Sequence, residues 1–262
     1  MIAFRPITLH PLLKIIFFGI AIFASGKLLM PLYHFSPIVH KILLSFSIIL
    51  ISILILKNEG RSLKSIGIKL ILQSCKYLAV GTLVGIGMLT VTALLTKGLV
   101  DFRWQFNSAV SLSGVLLLLN FYFWSVLVEE LWFRGYGFQR LAEYNGKGLA
   151  LFIVGILFGL YHISFEMPLP EIVVMVLVTG LFHVFLGLAV LKWKNLALPL
   201  GLHFGFNFAQ DMLPRHPSLN KESSILHVVA TDGLEYSTAS MLIPYVAIVM
   251  VGCLIILFYK HF

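Results

Sequence analysis

Residues 111–134 read SLSGVLLLLNFYFWSVLVEELWFR, a long apolar run with a charged end. No charged residue occurs between 111 and 128, and two carboxylates and an arginine follow in the last six residues. An uncharged apolar stretch of this length is long enough to cross the roughly 30 Å hydrocarbon core of a bilayer as a helix. The stretch therefore predicts a membrane span whose ionisable end groups need partners inside the protein.

The composition of the whole chain points the same way. Hydrophobic residues make up 59% of the 262 residues and charged residues 11%, against roughly 45–50% and about 25% in soluble proteins. This excludes a soluble globule and predicts an all-α polytopic membrane bundle, with residues 1–262 as a single integral membrane domain. The two cysteines, Cys75 and Cys253, have no neighbour at metal-site spacing, so neither a disulfide framework nor a thiolate metal site is expected.

Eight apolar runs are long enough to be transmembrane helices. They cover residues 12–32, 37–56, 77–96, 111–134, 149–167, 170–191, 196–213 and 241–259. With the N-terminus in the cytosol, the inner segments hold twelve Lys and Arg residues and the outer loops hold four. Because basic residues stay on the cytosolic side, this count predicts that both termini are cytosolic. The net charge of +8 is explained by these loops, and no basic tract with interleaved aromatics indicates nucleic-acid binding.

Glu129, Glu130 and Arg134 close the fourth run. Glu130 and Arg134 are spaced i,i+4, so they can form an ion pair on one helical face. Glu129 is rotated by about 100° from Glu130 and is left to face another helix. An interfacial salt bridge that ends the span is the competing interpretation, although two adjacent carboxylates are harder to explain in that way.

Two further apolar runs each carry a histidine in a short polar pattern. His162 follows Phe158 by one helical turn, and His203 precedes Asn207 by one turn. Alone, His162 is better explained as a packed histidine that hydrogen bonds to a neighbouring helix, and hydrogen bonds between helices also explain His203 and Asn207. If the fourth and fifth helices form a hairpin that turns near Asn145, Glu129 and His162 both lie roughly 25 Å from the turn, at matching depth. A carboxylate and an imidazole at one depth are the parts of a general-base pair, which we place nearer the cytosolic face.

Together, EExxxR at Glu129–Arg134, FxxxH at Phe158–His162 and HxxxN at His203–Asn207 resemble the CPBP family of intramembrane proteases. This family includes Rce1-like CAAX prenyl proteases and bacterial Abi proteins. The resemblance covers a catalytic core at residues 111–213 and implies an intramembrane endopeptidase in a bacterial cell membrane. The CAAX specificity of eukaryotic relatives is not carried over, since the motifs do not describe the walls of the substrate cavity.

The resemblance also implies roles for individual residues. Glu129 and His162 would activate a water, and His203 and Asn207 would stabilise the tetrahedral oxyanion. Glu130 and Arg134 would support the site. No cofactor is expected, although Glu129, His162 and His203 could hold a zinc ion in a metallo-type enzyme. The chain lacks the HExxH zinc signature.

The expected partners are the lipid bilayer and a peptide or membrane-protein substrate. Two other function classes stay open. One is a non-catalytic immunity or scaffolding protein on the same fold, whose phenotype would survive Glu129→Gln. The other is a transporter or proton relay, because buried Glu and His residues also carry protons in such proteins. The sequence shows no inverted repeat, which counts against this class. The oligomeric state is left open.

Overall fold

The fold is a bundle of helices with one small sheet at one end. The computed structural model describes residues 10–164, 166–229 and 237–259. A π-helical turn, Leu131–Gly135, joins α4 to α5, and two short strands pair antiparallel. The predicted polytopic helical membrane bundle is confirmed. The elements are α1 (Pro11–Phe35), α2 (Pro37–Asn58), α3 (Leu72–Leu99), β1 (Arg103–Phe106), α4 (Leu112–Glu130), α5 (Tyr136–Asn145), α6 (Lys147–Tyr161), α7 (Leu169–Trp193), α8 (Ala197–Met212), β2 (Leu226–Val229) and α9 (Thr238–Phe258).

All eight predicted runs form helices, but two of these helices are short. Among the described residues, six helical segments are long and apolar enough to cross a membrane, with α4 and α5 counted as one segment from Leu112 to Asn145. α6 has 15 residues and α8 has 16. At 1.5 Å per residue each extends for about 23 Å, less than the roughly 30 Å hydrocarbon core.

The predicted span over 149–167 is wrong beyond Tyr161, where α6 ends. The Nδ1 atom of His162 lies 2.7 Å from the Phe158 carbonyl oxygen. A continued α-helix would use that carbonyl to accept the His162 backbone N–H, which instead donates to the Gly159 carbonyl. The histidine side chain thus competes with the backbone for the last helical hydrogen bond and ends the helix.

The connecting segments meet at two ends of the bundle. At one end β1 pairs with β2, with Arg103 opposite Val229. At the other end Glu59 lies 3.5 Å from both Lys14 and Arg140. The first end joins the two loops predicted to be outside, and the second joins segments predicted to be cytosolic. This grouping agrees with the prediction, whereas the cytosolic location of the termini stays a prediction because residues 1–9 and 260–262 lie outside the described residues.

α8 lies directly against α3 through glycines on both helices. A Cβ atom added at Gly205 would lie 2.1 Å from the Thr82 carbonyl oxygen, and one at Gly85 would lie 2.2 Å from that of Leu202. The two backbones therefore approach closely only because these positions lack side chains, as is common where membrane helices pack. This contact fixes the position of α8 in the bundle, and with it His203.

Candidate active site

The charged end of α4 is buried and paired. Glu130 and Arg134 are both fully buried, and Arg134 Nη1 lies 3.3 Å from Glu130 Oε1. The predicted i,i+4 ion pair is therefore present. The π-helical turn that begins at Leu131 follows Glu130 immediately. Such turns are rare and occur frequently at functional sites.

His203 of α8 hydrogen bonds to this pair. Its Nδ1 atom lies 2.8 Å from Glu130 Oε1. A carboxylate oxygen accepts, so Nδ1 carries the proton and donates it to Glu130. The opposite nitrogen, Nε2, lies 3.6 Å from Glu129 Oε2. Glu130 thus fixes the orientation of the imidazole and the nitrogen that it presents to Glu129.

His162 approaches Glu129 from α6. Its Nδ1 donates to the Phe158 carbonyl oxygen at 2.7 Å, because a carbonyl can only accept. Its Nε2 lies 3.9 Å from Glu129 Oε2. This contact agrees with the predicted hairpin, in which the carboxylate and the imidazole lie at one depth. The arm before the turn consists of α4, the π-helical turn and α5 instead of one regular helix.

Glu129 is therefore the meeting point of the two histidines. Each Nδ1–H donates away from the site, so a neutral imidazole presents the lone pair of its Nε2 to the same carboxylate oxygen. Glu129 Oε2 is buried and has no hydrogen-bond partner among the described residues. The site therefore places two imidazole nitrogens and one carboxylate oxygen face to face, and these are the groups that general acid–base chemistry uses.

The aromatic ring of Phe158 packs against the charged and histidine side chains of this site. The Arg134 guanidinium lies over the Phe158 ring, with 4.1 Å between its Cζ and the ring centroid. The Phe158 ring is also 4.6 Å from that of His162 and 6.2 Å from that of His203. The Arg134 nitrogens have no hydrogen-bond partner among the described residues. The cation–π contact and the negative charge of Glu130 together offset the cost of burying this guanidinium.

His183 of α7 lies behind Phe158 and is fully buried. Its sequence context suggests a hydrogen bond to a neighbouring helix. That interpretation is wrong, because neither ring nitrogen has a partner among the described residues. The ring instead packs against Phe138 and Phe158, at centroid distances of 5.4 and 5.9 Å.

A cavity of about 460 Å³ leads away from the histidines. His162, His203 and Asn207 line it, and Gln210 continues the same face of α8. The cavity reaches Arg215 and Leu219 beyond α8 and the first turns of α9, at the end of the bundle that carries the β-sheet. His203 lies nearer the opposite end, about 9 Å along α8 from its first residue. The cavity therefore extends from the predicted cytosolic side toward the predicted outer side.

Sequence reasoning missed several residues of this cavity. The sequence suggests that Tyr122 is a packing or interface aromatic. In the structure it lines the cavity, and its hydroxyl donates to Asp211 Oδ2 at 2.6 Å. Asp211 also pairs with Lys221 Nζ at 2.7 Å. Gln210 could have been found from its i+7 spacing to His203. No sequence pattern indicates that Arg215 lines the cavity. It follows the end of α8, and only the tertiary structure places its side chain in the cavity wall.

The suggested zinc ligands do not form a recognisable metal site. Zinc requires nitrogen and carboxylate ligands at about 2.0–2.2 Å in tetrahedral geometry. Among the described residues, no three His, Cys, Asp or Glu side chains are arranged to hold a metal ion. Metal dependence stays a prediction.

Comparison with known proteins identifies a family for the central part of the chain. Residues 111–209 match the family model of the Rce1-like type II CAAX prenyl endopeptidases. No curated protein and no solved structure matches the chain significantly. The matched segment contains all six residues that the sequence singles out, and it ends before Gln210 and Arg215. The resemblance to this protease family is confirmed.

Proposed function

We propose, on the premise that residues 111–209 match the Rce1-like type II CAAX prenyl endopeptidase family, that the protein is an intramembrane endopeptidase in which Glu129 activates the attacking water. The substrate is a peptide or the peptide tail of a membrane-associated protein. One observation carries the proposal: the Nε2 atoms of His162 and His203 both face Glu129 Oε2. Both histidines also line the cavity of about 460 Å³, which has room for an extended peptide.

In the first step, Glu129 acts as general base. A water held between Glu129 and His162 gives one proton to the Glu129 carboxylate, and its oxygen bonds to the scissile carbonyl carbon. The Nε2 lone pair of His162 accepts the other water hydrogen and so orients the nucleophile. The Phe158 carbonyl supports this role by fixing Nδ1 of His162 as the protonated nitrogen.

In the second step, the tetrahedral oxyanion needs hydrogen-bond donors. The Asn207 side-chain amide supplies one from the cavity wall. His203 donates a second hydrogen bond from Nε2 when the proton that Glu129 took from the water moves to that nitrogen, 3.6 Å from Glu129 Oε2. The proton then returns to Glu129. Glu129 then transfers its proton to the leaving nitrogen, the carbon–nitrogen bond breaks, and a carboxylic acid and an amine are released.

A cleavage assay tests this proposal. Purified full-length protein in detergent is incubated with a mixed peptide library, beside Glu129→Gln and with or without a strong zinc chelator. We expect wild-type product that the chelator does not change and that Glu129→Gln reduces by at least 100-fold, since a general base contributes roughly 10²–10⁴ in rate. Product that the chelator abolishes would instead support the metallo-type mechanism.

Glu171→Gln is the matched control. Glu171 is an exposed carboxylate in the first turn of α7, so its replacement removes the same charge without touching the site and should leave cleavage unchanged. Full activity in a folded Glu129→Gln protein would contradict the mechanism. A folded wild type that cleaves nothing would favour the non-catalytic immunity or scaffolding function.

A further inference from the structure

The cavity wall also carries a charged residue, Arg215, at the end away from the two histidines. Arg215 lies in the segment after α8, is 7% exposed and lines the cavity wall. Burial lowers the pKa of its guanidinium because desolvation disfavours the charged form, yet an arginine remains charged in proteins. A cation in this position needs a negative partner.

No such partner is found within the described residues. Arg215 has one side-chain hydrogen bond there, from Nη1 to the Met241 carbonyl oxygen at 3.3 Å, and its buried Nε has none. The nearest acid along the chain, Asp211, is already paired with Tyr122 and Lys221. In the described part of the chain, no carboxylate lies within ion-pair distance of Arg215.

The position of Arg215 suits a substrate group. A row of polar side chains lines the cavity along α8, formed by His203, Asn207 and Gln210. Arg215 lies beyond the last of them, after the end of the helix. From His203 to Met212, the last residue of α8, the helix rises by about 14 Å. An extended peptide covers that distance in about four residues.

We propose that Arg215 is a specificity residue that binds a carboxylate of the peptide substrate, about four residues from the scissile bond. The inference rests on the proposed function, because it places the scissile bond at Glu129. The guanidinium fork binds a carboxylate through two parallel N–H···O hydrogen bonds. The carboxylate comes either from the C-terminus of the peptide or from an Asp or Glu side chain.

Affinity selection tests the proposal without requiring cleavage. Full-length protein carrying Glu129→Gln is immobilised in detergent and exposed to equal amounts of random hexapeptides with free C-termini and isotope-labelled amidated counterparts. A second arm compares amidated hexapeptides that contain Asp or Glu with those that contain Asn or Gln. Mass spectrometry of the retained peptides gives the acid-to-amide ratio in each arm.

We expect acids to be retained roughly tenfold over amides in at least one arm, as for a charge-assisted hydrogen bond. The arm that shows the preference identifies the source of the carboxylate. Adding Arg215→Gln should reduce the ratio to about one, and Arg215→Lys should keep part of it. Arg103→Gln is the matched control, since it removes an exposed arginine at the same end of the bundle and should leave the ratio unchanged.

Equal retention of acids and amides in both arms would overturn the proposal, and so would a preference that survives Arg215→Gln. A merely structural role for Arg215 would lower the retention of both peptide forms and leave their ratio unchanged. Since the readout is binding by a variant without the proposed base, failure of the wild type to cleave would contradict the proposed function but not this inference.

Discussion

At the residue scale, the site depends on a chain of contacts that begins at Arg134. Arg134 pairs with Glu130, Glu130 accepts from His203, and His203 faces Glu129. Only the last of these contacts reaches the proposed base. We therefore infer that Glu130 is a positioning residue that fixes the tautomer and orientation of His203.

This role predicts the effect of Glu130→Gln. The glutamine keeps the shape but loses the negative charge, so we expect kcat to fall roughly 10- to 100-fold with little change in KM, as for other groups that orient an active-site histidine. The same change removes the ion-pair partner of the fully buried Arg134, which should lower thermal stability in detergent. Peptide cleavage kinetics and a thermal unfolding scan measure the two effects.

The double variant Glu130→Gln/Arg134→Gln separates the two effects. It removes both buried charges, so stability should return toward that of the wild type, while kcat should stay low. Recovery of kcat together with stability would show that Glu130 acts only on folding and would contradict the positioning role.

At the element scale, the position of α8 is set by its contact with α3. Glycines on both helices allow the backbones to touch, so α8 cannot move outward without losing this contact, nor inward without a clash. His203 and Asn207 lie on the same short helix as Gly205. The geometry of the site is therefore coupled to the packing of α8 against α3.

Gly205→Ala should disrupt this interface. The new Cβ atom would lie 2.1 Å from the Thr82 carbonyl oxygen, so the two helices must separate, and we expect a lower unfolding temperature and at least a tenfold loss of cleavage. Gly87→Ala is the control, because it lies on α3 and nothing stands within 4 Å of its added Cβ. That control should be neutral or slightly stabilising, since alanine favours a helix. Equal stability of the two variants would contradict the packing argument.

At the scale of the whole molecule, the fold separates two ends that should lie on opposite sides of the membrane. The basic segments gather at the end where Glu59 pairs with Arg140, and the β-sheet lies at the other end. The cavity that His162 and His203 line extends toward the sheet end. The orientation therefore decides from which side a peptide enters.

Cysteine labelling tests the orientation. Cys75 is exposed at the first turn of α3, near the predicted cytosolic end, and Cys253 is buried. We expect a membrane-impermeant maleimide to label Cys75 in inverted vesicles but not in intact cells. Glu222→Cys adds an exposed cysteine at the sheet end and should label in intact cells. The reverse pattern would mean that the termini lie outside the cell.

The sequence by itself determined the helical architecture and two contacts of the site, the one between Glu130 and Arg134 and the one between Glu129 and His162. Eight apolar runs predict the helices because the bilayer selects long uncharged segments, and the helical repeat alone places Arg134 over Glu130. The equal distance of Glu129 and His162 from the turn near Asn145 predicts their contact. These inferences need only periodicity and length, which are local properties of the chain.

Only the tertiary structure decided how the remaining groups meet. No spacing relates His203 to Glu130, which lie 73 residues apart in sequence, because helix–helix packing sets their contact through the glycines of α3 and α8. The early end of α6 depends on the side chain of one histidine, and the placement of Arg215 in the cavity depends on how the chain leaves α8. Such features arise from long-range packing, and a period or a motif does not encode them.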